Sequence, residues 1–318
     1  MLKLVFLGLL YFPAVAKEPE RTVTYLRDFG PQPVPTFDKG YLIFTNQPNG
    51  VEVWGPDGKL AFRTILASRP ESSVMNAAVD SDGTVAVSVA FSVAPRGYAG
   101  GISVLDRAGK EIRFMGTDRY MPSSICFDSK HALWAFGWQR DAIRNENDDS
   151  EEYLLFRKFS PDGKQIGAYA PRSLFRKNPG LAPGIGQGGG WRLRASGDRV
   201  GAITNSSGTN GPKGFVEDDH EWIELSLDGT LIGHWKLGND TGMGTAFISS
   251  LGFCRQNIWG QRVECLDRGT GTWKTLGVSA ADERGNALGN LLGADGDYLV
   301  FGRLESGLLL SWVMALRD

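Results

Sequence analysis

Histidine, cysteine and carboxylate side chains carry most acid–base and metal chemistry in proteins, and few of them are placed to act together here. The chain contains three histidines, His131, His220 and His234. We place His131 in a hairpin turn, His220 in an acidic loop and His234 on an outer strand, so a zinc triad is not expected. No G-x-S-x-G segment is present, and no serine has a plausible histidine partner. The sequence therefore predicts no catalytic residue.

Two acidic runs could hold a hard cation such as calcium, which prefers oxygen ligands. The first, EDDHE, offers Glu217, Asp218 and Asp219, and the second is NDDSEE at 147–152. Consecutive residues seldom point at one ion, so a solvated loop is the alternative for each run. The segment GIGQGG at 184–189 has dinucleotide-fingerprint spacing, but Pro183 precedes it and a strand-like segment follows, so we interpret it as a loop. No cofactor is predicted, and calcium stays open.

Arginine and aromatic residues are the remaining candidates for binding. They combine contact area with directed hydrogen bonds, as surfaces that bind proteins, peptides and glycans do. The alternative is that the tryptophans pack inside the fold and the arginines are merely exposed. The candidate ligand-binding residues of this kind are Arg96, Tyr98, Arg119, Tyr120, Trp138, Arg140, Trp191 and Arg192.

A repeated hairpin must position these side chains. The segments VEVWGPDGKLAFRTIL, YLLFRKFSPDGKQIGAYAP and WIELSLDGTLIGHWKLG each place an x-Asp-Gly turn between two runs that alternate apolar and polar residues. Asp-Gly supplies the positive φ angles of a tight turn. Upstream of most of these hairpins lies a second one, which makes units of four antiparallel strands at a period of roughly 50 residues. The turns fall at Asp57-Gly58, Ala108-Gly109, Asp162-Gly163, Asp228-Gly229 and Thr270-Gly271.

Four-stranded units repeated at this period indicate an all-β fold, a six-bladed β-propeller of antiparallel blades. No segment of helical length keeps a 3.6-residue period, which excludes α/β architectures. The C-terminal blade lacks its outer strand, and residues 22–29 are strand-like. We therefore expect the N-terminal strand to complete the last blade and close the ring. The predicted blades span 31–66, 74–116, 121–170, 190–238, 245–277 and 287–318.

In its period and its hairpins GPDGK, SPDGK and SLDGT, the chain resembles the six-bladed propellers of the NHL-repeat and gluconolactonase-like kind. The resemblance covers essentially the whole chain after residue 16. Gluconolactonase-like enzymes hold a divalent cation on the ring axis with a Glu, an Asn and an Asp from the innermost strands. Asn76 and Asn290 lie on predicted innermost strands and are added to the ligand-binding candidates, but PVPTFDKG has no Glu. The resemblance thus implies an alternative function, a lactonase-like hydrolase or lyase with a cation-assisted axial pocket.

Long connections gather at one end of the predicted scaffold. We call this end the loop-rich face; it holds the connections between the second and third strands of a blade and between blades, including 92–101, 138–152, 170–190 and 205–221. The opposite, short-turn face holds the turns within hairpins. Binding usually resides where long loops meet on a rigid scaffold. We therefore expect a non-enzymatic protein whose loop-rich face binds a protein, a peptide or a glycan.

The first residues, MLKLVFLGLLYFPAVAKEPE, follow the pattern of a secretory signal peptide, with Lys3, an apolar run and the cleavage signal Ala14-Val15-Ala16. The apolar run is shorter than the roughly 20 residues of a membrane-spanning helix, although an uncleaved anchor is the alternative. We expect a signal peptide at 1–16 and a single propeller domain at 17–318, secreted or periplasmic and monomeric. A net charge of −2 without a Lys/Arg block gives no footprint for nucleic acid.

The three cysteines, Cys126, Cys254 and Cys265, do not make a disulfide framework. Cys126 and Cys254 lie in apolar strand patterns, where a thiol behaves as a small hydrophobe. We expect a third strand between those that carry Cys254 and Cys265. That arrangement puts the pair about 9 to 10 Å apart, whereas a bridge needs Cα atoms within about 7 Å. Free thiols are predicted.

Overall fold

The structure is a computed structural model of the chain. It describes residues 19, 21–25, 35–46, 49–66, 72–93, 97–140, 153–174, 193–211, 214–238, 243–249, 252–257, 262–279, 289–304 and 308–314.

These residues form 24 β-strands and one 3₁₀ turn, Arg172–Leu174. The first strand among the described residues is β1 (Arg21–Tyr25). Blade 1 contains β2 (Thr36–Asp38), β3 (Tyr41–Asn46), β4 (Gly50–Trp54) and β5 (Leu60–Ile65). Blade 2 contains β6 (Ser72–Val79), β7 (Val85–Ser92), β8 (Tyr98–Leu105) and β9 (Glu111–Asp118). Blade 3 contains β10 (Tyr120–Phe127), β11 (Leu133–Gln139), β12 (Leu154–Phe159) and β13 (Gln165–Pro171).

Blade 4 contains β14 (Leu193–Ser196), β15 (Arg199–Gly211), β16 (Gly214–Ser226) and β17 (Leu231–Gly238). Blade 5 contains β18 (Met243–Ser249), β19 (Gly252–Asn257), β20 (Arg262–Asp267) and β21 (Thr272–Ser279). Blade 6 contains β22 (Asn290–Asp295), β23 (Tyr298–Leu304) and β24 (Leu308–Met314), with β1 as its fourth strand.

The predicted six-bladed all-β propeller is confirmed. The described strands form six four-stranded antiparallel sheets, each in simple chain order except blade 6. In blade 6, β1 pairs with β24 from Arg21 opposite Trp312 to Tyr25 opposite Leu308. The first and last strands of the chain therefore share one sheet.

The turn glycines take the conformation that the Asp-Gly pattern demands. At the turns between the third and fourth strands, Gly58, Gly109, Gly163, Gly229 and Gly271 have φ between +68° and +91°. A side chain in this left-handed region strains the backbone, which is why glycine occupies it.

The same glycines hold the blades together, because each lies against the outer strand of the preceding blade. A methyl group at Gly109 would lie 2.5 Å from a ring carbon of Phe62 in β5, and one at Gly58 would lie 2.9 Å from Val23 in β1. Gly229 contacts the Tyr169 ring of β13 in the same way. The missing side chain is what lets neighbouring blades pack this closely.

Several tryptophans are structural, because their indole nitrogens donate to buried carboxylates. Trp54 Nε1 donates to Glu52 Oε1 at 2.7 Å, and Trp222 Nε1 donates to Glu224 Oε1 at 2.8 Å. Both glutamates are fully buried. Arg268 of blade 5 donates two further hydrogen bonds to Glu224, at 2.9 and 2.8 Å. Buried charges are tolerated when they are paired in this way.

The free-thiol prediction is wrong for two of the three cysteines. Cys254 in β19 and Cys265 in β20 are register partners on neighbouring strands, and their Cα atoms lie 4.0 Å apart in a disulfide. The error came from placing an additional strand between them. Cys126 is a buried free thiol, as expected.

The segment 205–221, expected to be a loop, is largely strand. Residues of β15 and β16 pair from Arg199 opposite Ser226 to Gly211 opposite Gly214. The neighbouring β17 pairs with β16 only as far as His220, and β14 pairs with β15 only as far as Ala202. The far half of this hairpin is therefore a two-stranded ribbon that continues past the rest of blade 4. Among the described residues, no helix is long and apolar enough to cross a membrane.

The close packing at Gly109 predicts an unequal response to two alanine substitutions. Gly197 has φ +59°, and nothing lies within 4 Å of a methyl group added there. Gly197→Ala should cost only the backbone strain, about 1 kcal/mol. Gly109→Ala should cost about 1 to 3 kcal/mol more, because the methyl group meets Phe62. Urea unfolding of both variants measures the difference, and equal losses would contradict packing of Phe62 on this turn.

The disulfide predicts the thiol content of the protein. Produced under oxidising conditions and denatured without reductant, the protein should show one reactive thiol per chain, that of Cys126, and three after reduction. Replacing both Cys254 and Cys265 by alanine should lower the free energy of unfolding by about 2 to 3 kcal/mol, the value for a loop of this length. Three thiols before reduction would show that the bridge does not form.

Candidate functional site

The described part of the loop-rich face brings three predicted residues together where blades 2 and 3 meet. Tyr98 begins β8 and is 51% exposed. The guanidinium carbon of Arg140, which follows β11, lies 5.3 Å from the centroid of the Tyr98 ring. The backbone N–H of Arg140 donates to the carbonyl oxygen of Arg119 at 2.9 Å, and Arg119 is exposed. A tyrosine and two arginines thus form a cluster that crosses the blade boundary, with a cation–π contact at its centre.

Tyr120 and Trp138 lie beneath this cluster in the core. Tyr120 is 5% exposed, and its hydroxyl lies 3.0 Å from the carbonyl oxygen of Ala135 and 2.7 Å from that of Leu155. Burial raises the pKa of Tyr120 well above its usual value. Trp138 is 4% exposed, and its Nε1 has no hydrogen-bond partner in the described part of the chain. Both side chains belong to the core, and neither is accessible to a large ligand.

Asn76 joins two blades. Its Oδ1 accepts a hydrogen bond from the backbone N–H of Ile125 in β10 at 3.0 Å. The innermost strands of other blades are joined similarly: Ser124 Oγ accepts from Leu193 N–H at 2.8 Å. Asn290 is exposed at the first position of β22. No group of three or more His, Cys, Asp or Glu side chains placed to hold a metal occurs in the described ranges.

The other predicted site residues fall where the structure is not described. Arg96, Trp191 and Arg192 lie outside the described residues, as do the runs 147–152 and 184–189. Glu217, Asp218 and Asp219 have a described backbone in β16, but their side chains are outside the described part.

Sequence reasoning missed two charged residues on the innermost strands of blades 1 and 4. Asp38 ends β2, and its Oδ2 accepts from the backbone N–H of Val79 at 3.2 Å. Arg194 in β14 is 7% exposed, and its Nη2 is buried without a partner among the described residues. The signal available in the sequence was the charged residues inside two short segments predicted as innermost strands, PVPTFDKG and WRLRAS.

Burial raises the pKa of two titratable groups in this region, the carboxyl of Asp38 and the thiol of Cys126. Desolvation by burial raises the pKa of Asp38, against the lowering effect of the nearby charges of Arg194 and Lys39. Burial also raises the pKa of the Cys126 thiol, which makes it a poor nucleophile. The arrangement combines an incompletely bonded buried cation with a carboxyl that retains its proton more readily than usual.

Comparisons with known proteins give fold-level similarity. No family model matches the chain, and no curated protein matches it. A structure of the Dos1 propeller has 12% identity and a TM-score of 0.45, over 93% of this chain and 74% of that one. A nidogen/laminin complex has 14% identity and a TM-score of 0.44, over 82% and 84%. A glucose dehydrogenase has 14% identity and a TM-score of 0.44, over 93% and 100%.

The raised pKa of Asp38 predicts a pH-dependent cost to stability. A carboxyl with a folded-state pKa above its unfolded value stabilises the fold at low pH, and that contribution is lost as pH rises through the folded pKa. Asp38→Asn keeps an acceptor for Val79 N–H and removes the buried charge. The free energy of unfolding of Asp38→Asn should therefore gain on that of the wild type between about pH 4 and pH 7. Asp57→Asn, at a largely exposed side chain, is the control. A constant difference across this range would refute the assignment.

Proposed function

We propose that this chain is a non-enzymatic binding protein that works outside the cytoplasm, and that its loop-rich face recognises a protein, a peptide or a glycan. The observation that carries the proposal is the surface cluster of Tyr98, Arg119 and Arg140. Tyrosine and arginine dominate the energetics of binding surfaces, because each offers a large contact area and directed hydrogen bonds.

The scaffold supports the cluster by holding its members in place before a ligand arrives. Gly100 follows Tyr98 by two residues, and a methyl group there would collide with the carbonyl oxygen of Tyr120. The backbone bond from Arg140 to Arg119 fixes the two arginine-bearing segments against each other. Ordering these side chains in advance lowers the entropy cost of binding. Exposed Val93, at 40%, adds apolar area beside Tyr98 on the same loop.

Two features support an extracytoplasmic location. The N-terminal segment has a charged start, an apolar run and an Ala-x-Ala signal. The cross-strand disulfide Cys254–Cys265 is a kind of bond that persists in oxidising compartments and is rare in the cytosol. The proposal therefore places the mature chain, from about Lys17, in the periplasm or outside the cell.

An alternative is a hydrolase or lyase that uses the ring axis. The raised pKa of Asp38 favours it, because a general acid must hold a proton before it can donate one. A calcium ion belongs to this alternative, since the binding function requires no metal. Lactone hydrolysis that is stimulated by calcium, blocked by a chelator and lost in Asp38→Asn would support it over the binding function.

The binding function predicts a loss of affinity confined to one face. The triple variant Tyr98→Ala, Arg119→Ala, Arg140→Ala should bind its partner at least about 10-fold more weakly than the wild type, because hot-spot residues cost more than 1 kcal/mol each. Partners are sought by capture from extracytoplasmic extract and on a glycan array, and affinities are then measured by surface plasmon resonance.

The matched control removes apolar area elsewhere. Leu231→Ala, Ile232→Ala changes two side chains that are 44% and 40% exposed on the outer strand of blade 4. It should leave affinity unchanged. If both variants bind alike, the loop-rich cluster is not the binding site.

A further inference from the structure

A cleft on the short-turn face lies between blades 2 and 3, on the side opposite the Tyr98 cluster. Its volume is about 480 Å³, within the range of small-molecule sites. Its floor is apolar and comes from both blades: Val104 and Met115 from blade 2, and Phe127 and Leu133 from blade 3. Its outer edge is the turn that contains Ser160, Pro161 and Gly163.

The cleft lies at a junction whose outer strand lacks the aromatic ring that blades 3 and 4 have at the corresponding position. Tyr169 and Trp235 lie six residues after the turn glycines of blades 3 and 4. They pack against the turn glycines of the following blades, Gly229 and Gly271. The residue six positions after Gly109 in blade 2 is Met115, an unbranched side chain that lies beside Gly163. A thioether chain fills less of the junction than an aromatic ring and adapts its shape.

A strained histidine stands at the inner end of the cleft. The turns Asp80-Ser81-Asp82-Gly83 and Asp128-Ser129-Lys130-His131 carry the same backbone hydrogen bonds. His131, with φ +61°, therefore occupies the place of Gly83, with φ +85°. A side chain in this conformation costs roughly 1 kcal/mol or more, and such strain concentrates at functional sites. The turn would be more relaxed with glycine, so the imidazole must make interactions that offset this strain.

The imidazole is oriented by a carboxylate. His131 Nδ1 lies 2.8 Å from Asp80 Oδ2, and because the carboxylate only accepts, Nδ1 is the donor. Asp80 also accepts from Lys39 Nζ at 3.2 Å and from the Ser81 backbone N–H at 2.6 Å. The second ring nitrogen, Nε2, is thus left for a ligand, and the His131 side chain is 55% exposed.

The cleft has more hydrogen-bond donors available to a ligand than acceptors. Asp82 already accepts from the Thr84 backbone N–H at 2.8 Å, a bond that lowers the pKa of Asp82. Arg113 donates from Nη1 to the carbonyl oxygen of Pro161 and has further N–H groups on the same planar fork. Of the lining residues, Asp80 and Asp82 are acidic and Arg113 is basic. Cations outside the lining already lie beside both carboxylates, because Lys39 Nζ donates to Asp80 at 3.2 Å and Arg107 donates to the carbonyl oxygen of Asp82. An anionic head group matches this set better than a cationic one.

We propose that this cleft binds a small amphipathic acid. Its aliphatic or aromatic body lies on Met115, Phe127 and Leu133, and its carboxylate accepts hydrogen bonds from the Arg113 guanidinium, beside the exposed ring of His131. The site is separate from the loop-rich face and does not depend on the function proposed for that face.

The test uses three probes of the same shape: 4-phenylbutyrate, 4-phenylbutanol and 4-phenylbutylamine. Their binding to the full chain is measured by titration calorimetry and ligand-observed NMR. The acid should bind with a dissociation constant of about 1 mM or lower, as expected for a ligand of this size, and at least about 10-fold more tightly than the alcohol or the amine. Equal or tighter binding of the amine, or no binding of the acid at 10 mM, which is about ten times that value, would overturn the proposal.

Three variants locate the site. Met115→Trp restores a ring at the junction and should abolish binding of the acid, and Arg113→Gln should weaken it about 10-fold, the usual scale for a charged hydrogen bond. His131→Gly should weaken binding while leaving the free energy of unfolding equal or higher, because it relieves the strained turn. A purely structural histidine would instead lose stability with its bond to Asp80.

Two controls separate this site from the rest of the surface. Lys59→Gln removes an 83% exposed charge from another short turn and should leave acid binding unchanged. The triple variant at Tyr98, Arg119 and Arg140 should also bind the acid normally. Unchanged binding of the acid in both Met115→Trp and Arg113→Gln would show that it binds elsewhere and would overturn the proposal.

Discussion

Close approach between blades is the constraint on which the rest of this structure depends. The turn glycine of one blade lies against the outer strand of the blade before it, as Gly109 does against Phe62. The same close contact is required at the five junctions whose turn glycine is described, among them the one that closes the ring. The chain meets that demand at its ends with a strand from the N-terminus, whose Val23 lies against Gly58. The glycines that make the tight turns possible are therefore also the residues that allow the blades to pack into a closed ring.

Hydrogen bonds between innermost strands add direction to this packing. Asn76 and Ser124 each accept a hydrogen bond from a backbone N–H of the following blade. Polar side chains near the axis therefore help to hold neighbouring blades together. Because the Asn76 side-chain oxygen already accepts a hydrogen bond from a neighbouring strand, it is less available to bind a ligand. The buried Trp–Glu pairs act in the same way inside the blades. Much of the chemistry suggested by residue type is used to hold the ring together.

The residues that we propose for recognition lie where two blades meet without filling the junction. Tyr98 and Arg140 meet across blades 2 and 3 on one face, and Met115 leaves a cleft between the same blades on the other. In both places a surface is built from two sheets, so its shape depends on how the blades dock. The strained His131 and the incompletely bonded Arg194 are local departures from the repeat. In a repeating scaffold, such departures are the most informative residues.

The sequence by itself determined most of the strands, the hairpin turns and the number of blades. Alternating apolar residues and Asp-Gly turns are local signals that can be recognised within a short segment. Because the unit is repeated, the same signals occur several times along the chain. It also indicated that Tyr98 and Arg140 belong to the loop-rich face. Only the tertiary structure decided which residues meet: the Cys254–Cys265 pair, the burial of Tyr120 and Trp138, and the His131–Asp80 contact between blades. Strand register and the docking of one blade on the next set those distances, and neither is encoded within a single hairpin.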